Sequence, residues 1–256
     1  MLPTKAGLWE AIILGVKALK KKLRDCKTLV FMDLEGTQIS HEAIEIGAWK
    51  VYLKDDLTVK KISKPFKCYI LPKHKVGPVV TEMTGITDKM LQEEGIPFRL
   101  AQQGFRKYVG GDWFHSMFLA YGSQDIVMFK SSVENNADAF HEDVSFISHH
   151  YLDFASFLSS YVKDDKGNVL SLQHACELLR APMIGKNHDA LSDARNLVSL
   201  YSAFLEQKDL IQERYLKILS NGGTMSAALR RAALALSSGK DVTAQDFQQW
   251  VKEELS

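Results

Sequence analysis

The hydrophobic positions of this chain change period several times along its length. Leu8, Ile12, Val16, Leu19 and Leu23 recur at helical spacing, with Lys17, Lys20, Lys21 and Arg24 as a neighbouring basic stripe. From Thr28 the pattern shortens. TLVFMDLE is an apolar run that suits a central strand, AIEIGAWKVYL alternates and is rich in β-formers, and ISKPFKCYILP reads as a third strand. PFRLAQQGFRKYV is helical and stops at Gly110-Gly111. SMFLAYG is again a short apolar strand, running into a helix that begins near Gln124-Asp125. HHYLDF gives a weaker fifth strand, and SLQHACELLRA and DALSDARNLVSLYSAFLEQ are helices.

Three strands in succession, then strands alternating with helices, predict an α/β fold built on a mixed sheet flanked by helices. The first three strands can form an antiparallel meander. The later two need helical crossovers and should lie parallel to the first. After about Asp209 the character changes once more. YLKIL runs into Ser220-Asn221-Gly222-Gly223, a break; Leu229, Ala232, Ala233 and Leu236 then follow helical spacing. Thr243 with Asp246 three residues later opens a last helix striped by Phe247, Trp250, Val251 and Leu255. The expected organisation is an N-terminal helix (1–27), a main domain (28–208) and a C-terminal helical appendage (209–256). The appendage either packs on the main domain or offers a surface for a protein partner or a second copy.

Composition changes little in this picture. A net charge of +1 gives no overall pull toward polyanions or membranes, and 46% hydrophobic with 25% charged residues is ordinary for a soluble globular chain. The cysteines, Cys26, Cys68 and Cys176, are scattered and odd in number, which argues against a disulfide framework or a zinc knuckle. LWEAIILGVKAL is too short to span a bilayer and contains Glu10. Its charges follow its apolar residues, the wrong order for a signal peptide. The expectation is a cytoplasmic protein with no membrane partner.

The chemistry enters at the end of the first strand. In VFMDLEGT, Asp33 and Glu35 stand two residues apart, so they emerge on one face and Leu34 on the other. Two like charges so close repel, and burial would raise their pKa values. A hard cation such as magnesium or manganese removes the difficulty; a strand end already in water would remove it too. D-L-E-G-T also resembles the D-x-D-G-T loop of haloacid-dehalogenase-like phosphatases. There the second acid is Asp rather than Glu, and the downstream acidic loop of that family has no counterpart here. In AYGSQD, Asp125 falls in the first turn of a helix, a place that acids favour for electrostatic reasons alone. In GKNHDALSDARN, His188 precedes Asp193 by five residues. Five residues turn a helix by about 500°, so the two cooperate only if His188 lies on the loop before the helix; otherwise Asp189 simply caps it.

Strand D-x-E, then Asp at a strand-to-helix junction, then H-x-x-x-x-D opening a late helix, resembles the DEDDh family of 3′-to-5′ exonucleases. EIGA after the first motif and TEMTGIT before the first long helix agree with it, and the resemblance covers roughly residues 28–208. It implies a ribonuclease H-like mixed five-stranded sheet of order 3-2-1-4-5. It also implies Asp33, Glu35, Asp125 and Asp193 as metal-site acids and His188 as general base. The implied activity is release of nucleoside 5′-monophosphates from single-stranded RNA or DNA 3′ ends with two Mg2+ or Mn2+ ions. Asp33 would bridge the ions, Glu35 and Asp193 would complete the one that holds the attacking water, and Asp125 would act through water. Gly36 and Thr37 are candidates to offer backbone N–H groups to the 3′ end. Leu34, Met83 and Thr84 are candidates to wedge the last bases, and Lys73, His74 and Lys75 form a basic loop that is either a phosphate contact or a solvated turn. His149 and His150 receive no chemical role. The competing reading is a silent exonuclease-like module that binds nucleic acid or protein without cutting it.

Overall fold

In a computed structural model the described residues are 15–221 and 226–255. The apolar positions Leu8 and Ile12 and the Gly222-Gly223 break lie outside them. The sheet has five strands in the order β3-β2-β1-β4-β5. These are β1 (Thr28–Gly36), β2 (Ala43–Leu53), β3 (Val59–Tyr69), β4 (Ser116–Ala120) and β5 (Tyr151–Asp153). The β1–β2 and β2–β3 pairs are antiparallel; β4 runs parallel to β1 and β5 parallel to β4. The strand directions are those expected from the strand pattern, and the order is the ribonuclease H-like one that the family resemblance implies.

Alternation along β1 divides the interior. Leu29 and Phe31 face one side, where they pack with Leu19 of α1 (described residues 15–22), with Leu23 in the turn after it, and with Leu197, Val198 and Tyr201 of α9 (Ala190–Glu206). Val30, Met32 and Leu34 face the other side, against Phe98, Ala101 and Phe105 of α4 (Phe98–Val109) and Ile126 and Phe129 of α5 (Gln124–Glu134). Asp33 and Glu35 continue the first row, so both point toward the α9 side.

Several short helices carry too few apolar positions to be read from periodicity. They are α2 (Pro78–Thr84), α3 (Asp88–Glu94), α6 (His141–His149) and α7 (Phe154–Ser159); α8 (Leu172–Leu178) lies within the expected SLQHACELLRA helix. Met83 and Thr84, the wedge candidates, are the last residues of α2, which is closed by Gly85 in the left-handed conformation. His149 and His150 close α6, each ring nitrogen on a carbonyl one turn back.

The last three helices are α10 (Lys208–Asn221), α11 (Ala227–Ser237) and α12 (Ala244–Leu255). The first turn of α10 belongs to the main core: Ile211 is 5% exposed there, and Tyr215 packs on Tyr161. Glu254 of α12 accepts the backbone N–H groups of Ala227 and Ala228, which closes the start of α11. Among the described residues no helix is long and apolar enough to cross a membrane.

Candidate active site

The C-terminal end of β1 is where the sequence motifs meet. Asp125 is buried in the first turn of α5, and its Oδ1 accepts the N–H of Leu34 at 2.9 Å. That bond pins the helix start to β1 between Asp33 and Glu35. Tyr151 of β5 donates its hydroxyl to the carbonyl of Gly122 and lies 3.4 Å from Asp125 Oδ2, bracing the same turn.

From the other side comes the start of α9. Gly47 of β2 pairs with Asp33 in register, and a Cβ on it would lie 2.2 Å from Leu191 N and 2.3 Å from the carbonyl carbon of Ala190. Glycine therefore lets the first turn of α9 rest directly on the sheet. Trp49 Nε1 donates to the Leu191 carbonyl at 3.1 Å, and buried Asn196 holds both the N–H and the carbonyl of Ile184 in the preceding loop. Asp189 caps the helix by accepting from Ser192. His188 sits before the cap, exposed, in the left-handed backbone region at φ 60°, and its N–H donates to Asp193 Oδ2 at 2.8 Å. The loop placement that cooperation with Asp193 requires is thus present. Ligand atoms of Glu35, His188 and Asp193 all lie within 4.8 Å of one another.

The electrostatics of this cluster are unfavourable as it stands. Burial, then the neighbouring carboxylates of Asp125, Glu35, Asp193 and Glu45, push Asp33 well above the ordinary carboxylate range. Burial and then Glu45, Asp193, Asp125 and Asp189 push Glu35 up to about 8. Burial raises Asp125 to about 7 against the pull of its hydrogen bonds, and burial also raises Asp193, opposed by the His188 N–H. Among the described residues the Asp33 and Glu35 carboxylates accept no hydrogen bond, in contrast to Asp125 and Asp193. Oxygen donors with an imidazole, repelling one another, are a donor set that fits magnesium or manganese.

The other candidate residues are distributed differently. Leu34 is 4% exposed within the core of the opposite face, so its side chain is turned away from the acids. Thr37 is 1% exposed; its N–H donates to the Glu42 carbonyl and its hydroxyl accepts the Glu42 N–H, so both are engaged within the protein. At Gly36 a Cβ would meet Met128 Sδ at 2.8 Å, the end of a flexible side chain. The Thr84 hydroxyl closes α2, accepting from Ile86 N–H and donating to the Val80 carbonyl. Met83 is 43% exposed on α2. The Lys73–Lys75 loop is anchored by Glu42, whose carboxylate accepts the N–H groups of Lys73 and His74 and contacts His74 Nδ1 at 2.6 Å.

Reading by motif gives no role to two residues, Glu45, quoted only as part of EIGA, and Lys67. Glu45 faces Glu35 across the β1–β2 pair, and Lys67 of β3 contacts both Glu45 and Asp189. The signal for Glu45 is a charge inside an otherwise buried strand, A-I-E-I-G-A.

Fold and site together define a nuclease of the ribonuclease H-like class. The sequence profile of the RNase T-type exonucleases matches residues 30–201, and the chain belongs to this exonuclease family. The fold is shared with several solved nucleases. The nuclease domain of 3′hExo, a DEDDh family member solved with rAMP, superposes with a TM-score of 0.58 at 16% identity, covering 70% of this chain and 92% of that one. Exonuclease I gives 0.57 at 16% identity, over 81% of this chain and 46% of that one. Cell-death related nuclease 4 gives 0.55 at 18%, over 69% and 62%. The match spans less than two thirds of that last chain and under half of exonuclease I. No curated protein sequence matches this chain.

Proposed function

We propose that this chain is a metal-dependent 3′-to-5′ exonuclease of the DEDDh type, acting on single-stranded nucleic acid ends and releasing nucleoside 5′-monophosphates. The observation that carries the reading is the pair Asp33 and Glu35. These acids face Asp125 and Asp193 with no hydrogen-bond donor of their own among the described residues, beside an exposed imidazole. A structural role would provide such acids with donors, because burying an unpaired carboxylate is costly. Asp33, Glu35 and Asp193 are the residues to hold the cations, with Asp125 beside them. When bound, divalent ions supply an activated water and stabilise the departing 3′ oxygen.

His188 is the group to take the proton of the attacking water. It is on a loop, exposed, and within reach of the same site as Glu35 and Asp193. Its left-handed backbone turns its N–H onto Asp193, which fixes the loop relative to the acid. Asp125, bonded to the Leu34 amide, keeps α5 and β1 in a fixed relation. Met83 on α2 is the wedge candidate with exposed surface to offer a base. The solved relatives include exonuclease I with a dA16 oligonucleotide and a 3′-exonuclease recognising a histone mRNA stem-loop, which supports a nucleic-acid 3′ end as the substrate class. We place catalysis in residues 28–208 and assign α11 and α12 to contacts with a partner or a second copy.

The test is degradation of a 5′-labelled single-stranded oligonucleotide, RNA and DNA in parallel, with Mg2+ or Mn2+. Stepwise shortening should occur and should fall by ~1,000-fold or more in Asp33→Asn, the scale of losing a preorganised electrostatic group. An intact oligonucleotide with both metals, from a folded protein, would favour the silent binding module.

A further inference from the structure

Two rows of residues run across the sheet on the α9 side. Asp33, Gly47 and Lys67 stand opposite one another on β1, β2 and β3, and Glu35, Glu45 and Tyr69 form the next row. Directly opposed residues of antiparallel strands share a face, so Lys67 looks toward the same helix start as Asp33, with only a glycine between them. Its Nζ lies 2.6 Å from Glu45 Oε1 and 2.5 Å from Asp189 Oδ1. Glu45 is 2% exposed in its side chain, and the N–H of Ala190, the first residue of α9, works against the rise that burial gives its carboxyl. Asp189 caps the same helix and is the immediate neighbour of His188.

We infer that Lys67 is a positioning residue for the hydrolytic reaction: it clamps the first turn of α9 to β2 through Glu45 and Asp189, and so sets His188 and Asp193 against Glu35. This rests on the nuclease reading above. The clamp joins three elements that come from distant parts of the sequence. Glu45 and Asp189 are acids beyond Glu35 and Asp193, and without a cation between them the two would repel at the joint that carries His188. An ammonium touching both holds the joint closed, and its partner Glu45 is too buried for water to replace it. Lys67 touches neither the Glu35–His188–Asp193 group nor Asp33 in the contacts seen, so it acts through the helix start.

Steady-state cleavage by Lys67→Met and Lys67→Arg tests this, together with amide hydrogen exchange of the metal-free proteins. Lys67→Met should lower kcat by about tenfold or more while KM changes less than about twofold, because the reacting groups move and the binding surface does not. Lys67→Arg, which keeps a cation able to bridge two carboxylates, should recover most of the loss. The amides of His188 and Asp193 should exchange about tenfold faster in Lys67→Met. If Lys67→Met does not fold, the pair Lys67→Met with Glu45→Gln removes the buried unpaired charge and carries the same expectation. Wild-type kcat in Lys67→Met, or an Arg variant as slow as the Met variant, overturns the inference and leaves the nuclease reading intact if Asp33→Asn is inactive. If the wild-type protein cleaves nothing, the nuclease reading falls. The exchange data then decide the clamp alone: unchanged exchange at His188 overturns it, faster exchange supports it.

Discussion

Raising the pH should destabilise the metal-free protein, and the carboxylate cluster gives the size of the effect. Glu35 has an ordinary value of 4.5 and is pushed up to about 8 in the fold. Between those values the folded chain holds a proton that the unfolded chain has released. Stability therefore falls as pH rises, is fully present below about 4.5, and is lost through about 8. Asp125, raised from 3.8 to about 7, acts in the same direction, as do Asp33 and Asp193. Asp189 is lowered: Lys67 and Ser192 outweigh its burial, so its contribution is lost only in acid, below the range of interest. The Glu35 displacement alone corresponds to ~5 kcal/mol at ~1.4 kcal/mol per pH unit. The carboxyl is partly exposed, and water screens part of that. An expected loss of ~2–4 kcal/mol between pH 5 and pH 8.5 follows, against a total stability of ~5–15 kcal/mol for a domain.

Urea denaturation in a chelator, followed by circular dichroism at several pH values, reads this directly. At a slope of ~2–3 kcal/mol per molar urea, the midpoint should fall by ~1 M across the range. Glu35→Gln should flatten the curve and leave the acid end unchanged. Saturating Mg2+ or Mn2+ should raise the midpoint most at high pH, where the ion no longer competes with protons; at a hundredfold over Kd, binding adds ~2.7 kcal/mol. A midpoint independent of pH in the chelator, or an equally steep decline in Glu35→Gln, would refute the claim that these acids are held against their own repulsion.

Two further outcomes depend on packing. Gly47→Ala places a methyl against the backbone of Ala190 and Leu191, so α9 must lift; thermal denaturation should show a loss of ~1–3 kcal/mol, and cleavage should fall by ~100-fold because Asp193 and His188 move with the helix start. Truncation separates the C-terminal helices: a chain ending after Asn221 should keep its melting temperature and its cleavage of short oligonucleotides. One ending at residue 208 should lose ~2–3 kcal/mol through exposure of the Ile211 site, measured by the urea midpoint.

The sheet was legible because its strands differ in kind. β1 and β4 are short apolar runs and β2 alternates, so strand identity and direction followed from pattern and from the need for helical crossovers, while the order came with the family resemblance. The short helices α2, α3, α6 and α7 were not, because six to nine residues hold too few apolar positions to show a period. The four motif acids and His188 were picked out by their order and spacing and by the resemblance these carry, and the fold brings them to one end of the sheet. The substrate-side candidates rested on weaker signals. Leu34 could be placed on the far face from alternation alone, yet whether that face was core or surface depended on α4 and α5, which pack there from far along the chain. Thr37 read as a loop donor, but its N–H is taken by Glu42, a partner set by the closure of the β1–β2 turn.

Six carboxylates meet at one end of this sheet, and the fold treats them in three ways. Asp125 and Asp193 each receive a backbone N–H, from Leu34 and His188. Glu45 and Asp189 receive the ammonium of Lys67. Asp33 and Glu35 receive neither among the described residues, and they are the two on the central strand, flanked by all the others. An arrangement that compensates every outer acid and leaves the inner pair bare concentrates the remaining negative potential at one place. Backbone donors and a lysine are fixed parts of the chain and cannot leave. The inner pair depends on what solution supplies, water, protons or cations, and of these a cation opposes its charge most directly, which is the condition a metal site needs. The division also explains why the outer acids are tied to the starts of α5 and α9. Each compensated acid fixes one wall, and the walls in turn hold the bare pair at a separation that its own repulsion would otherwise widen.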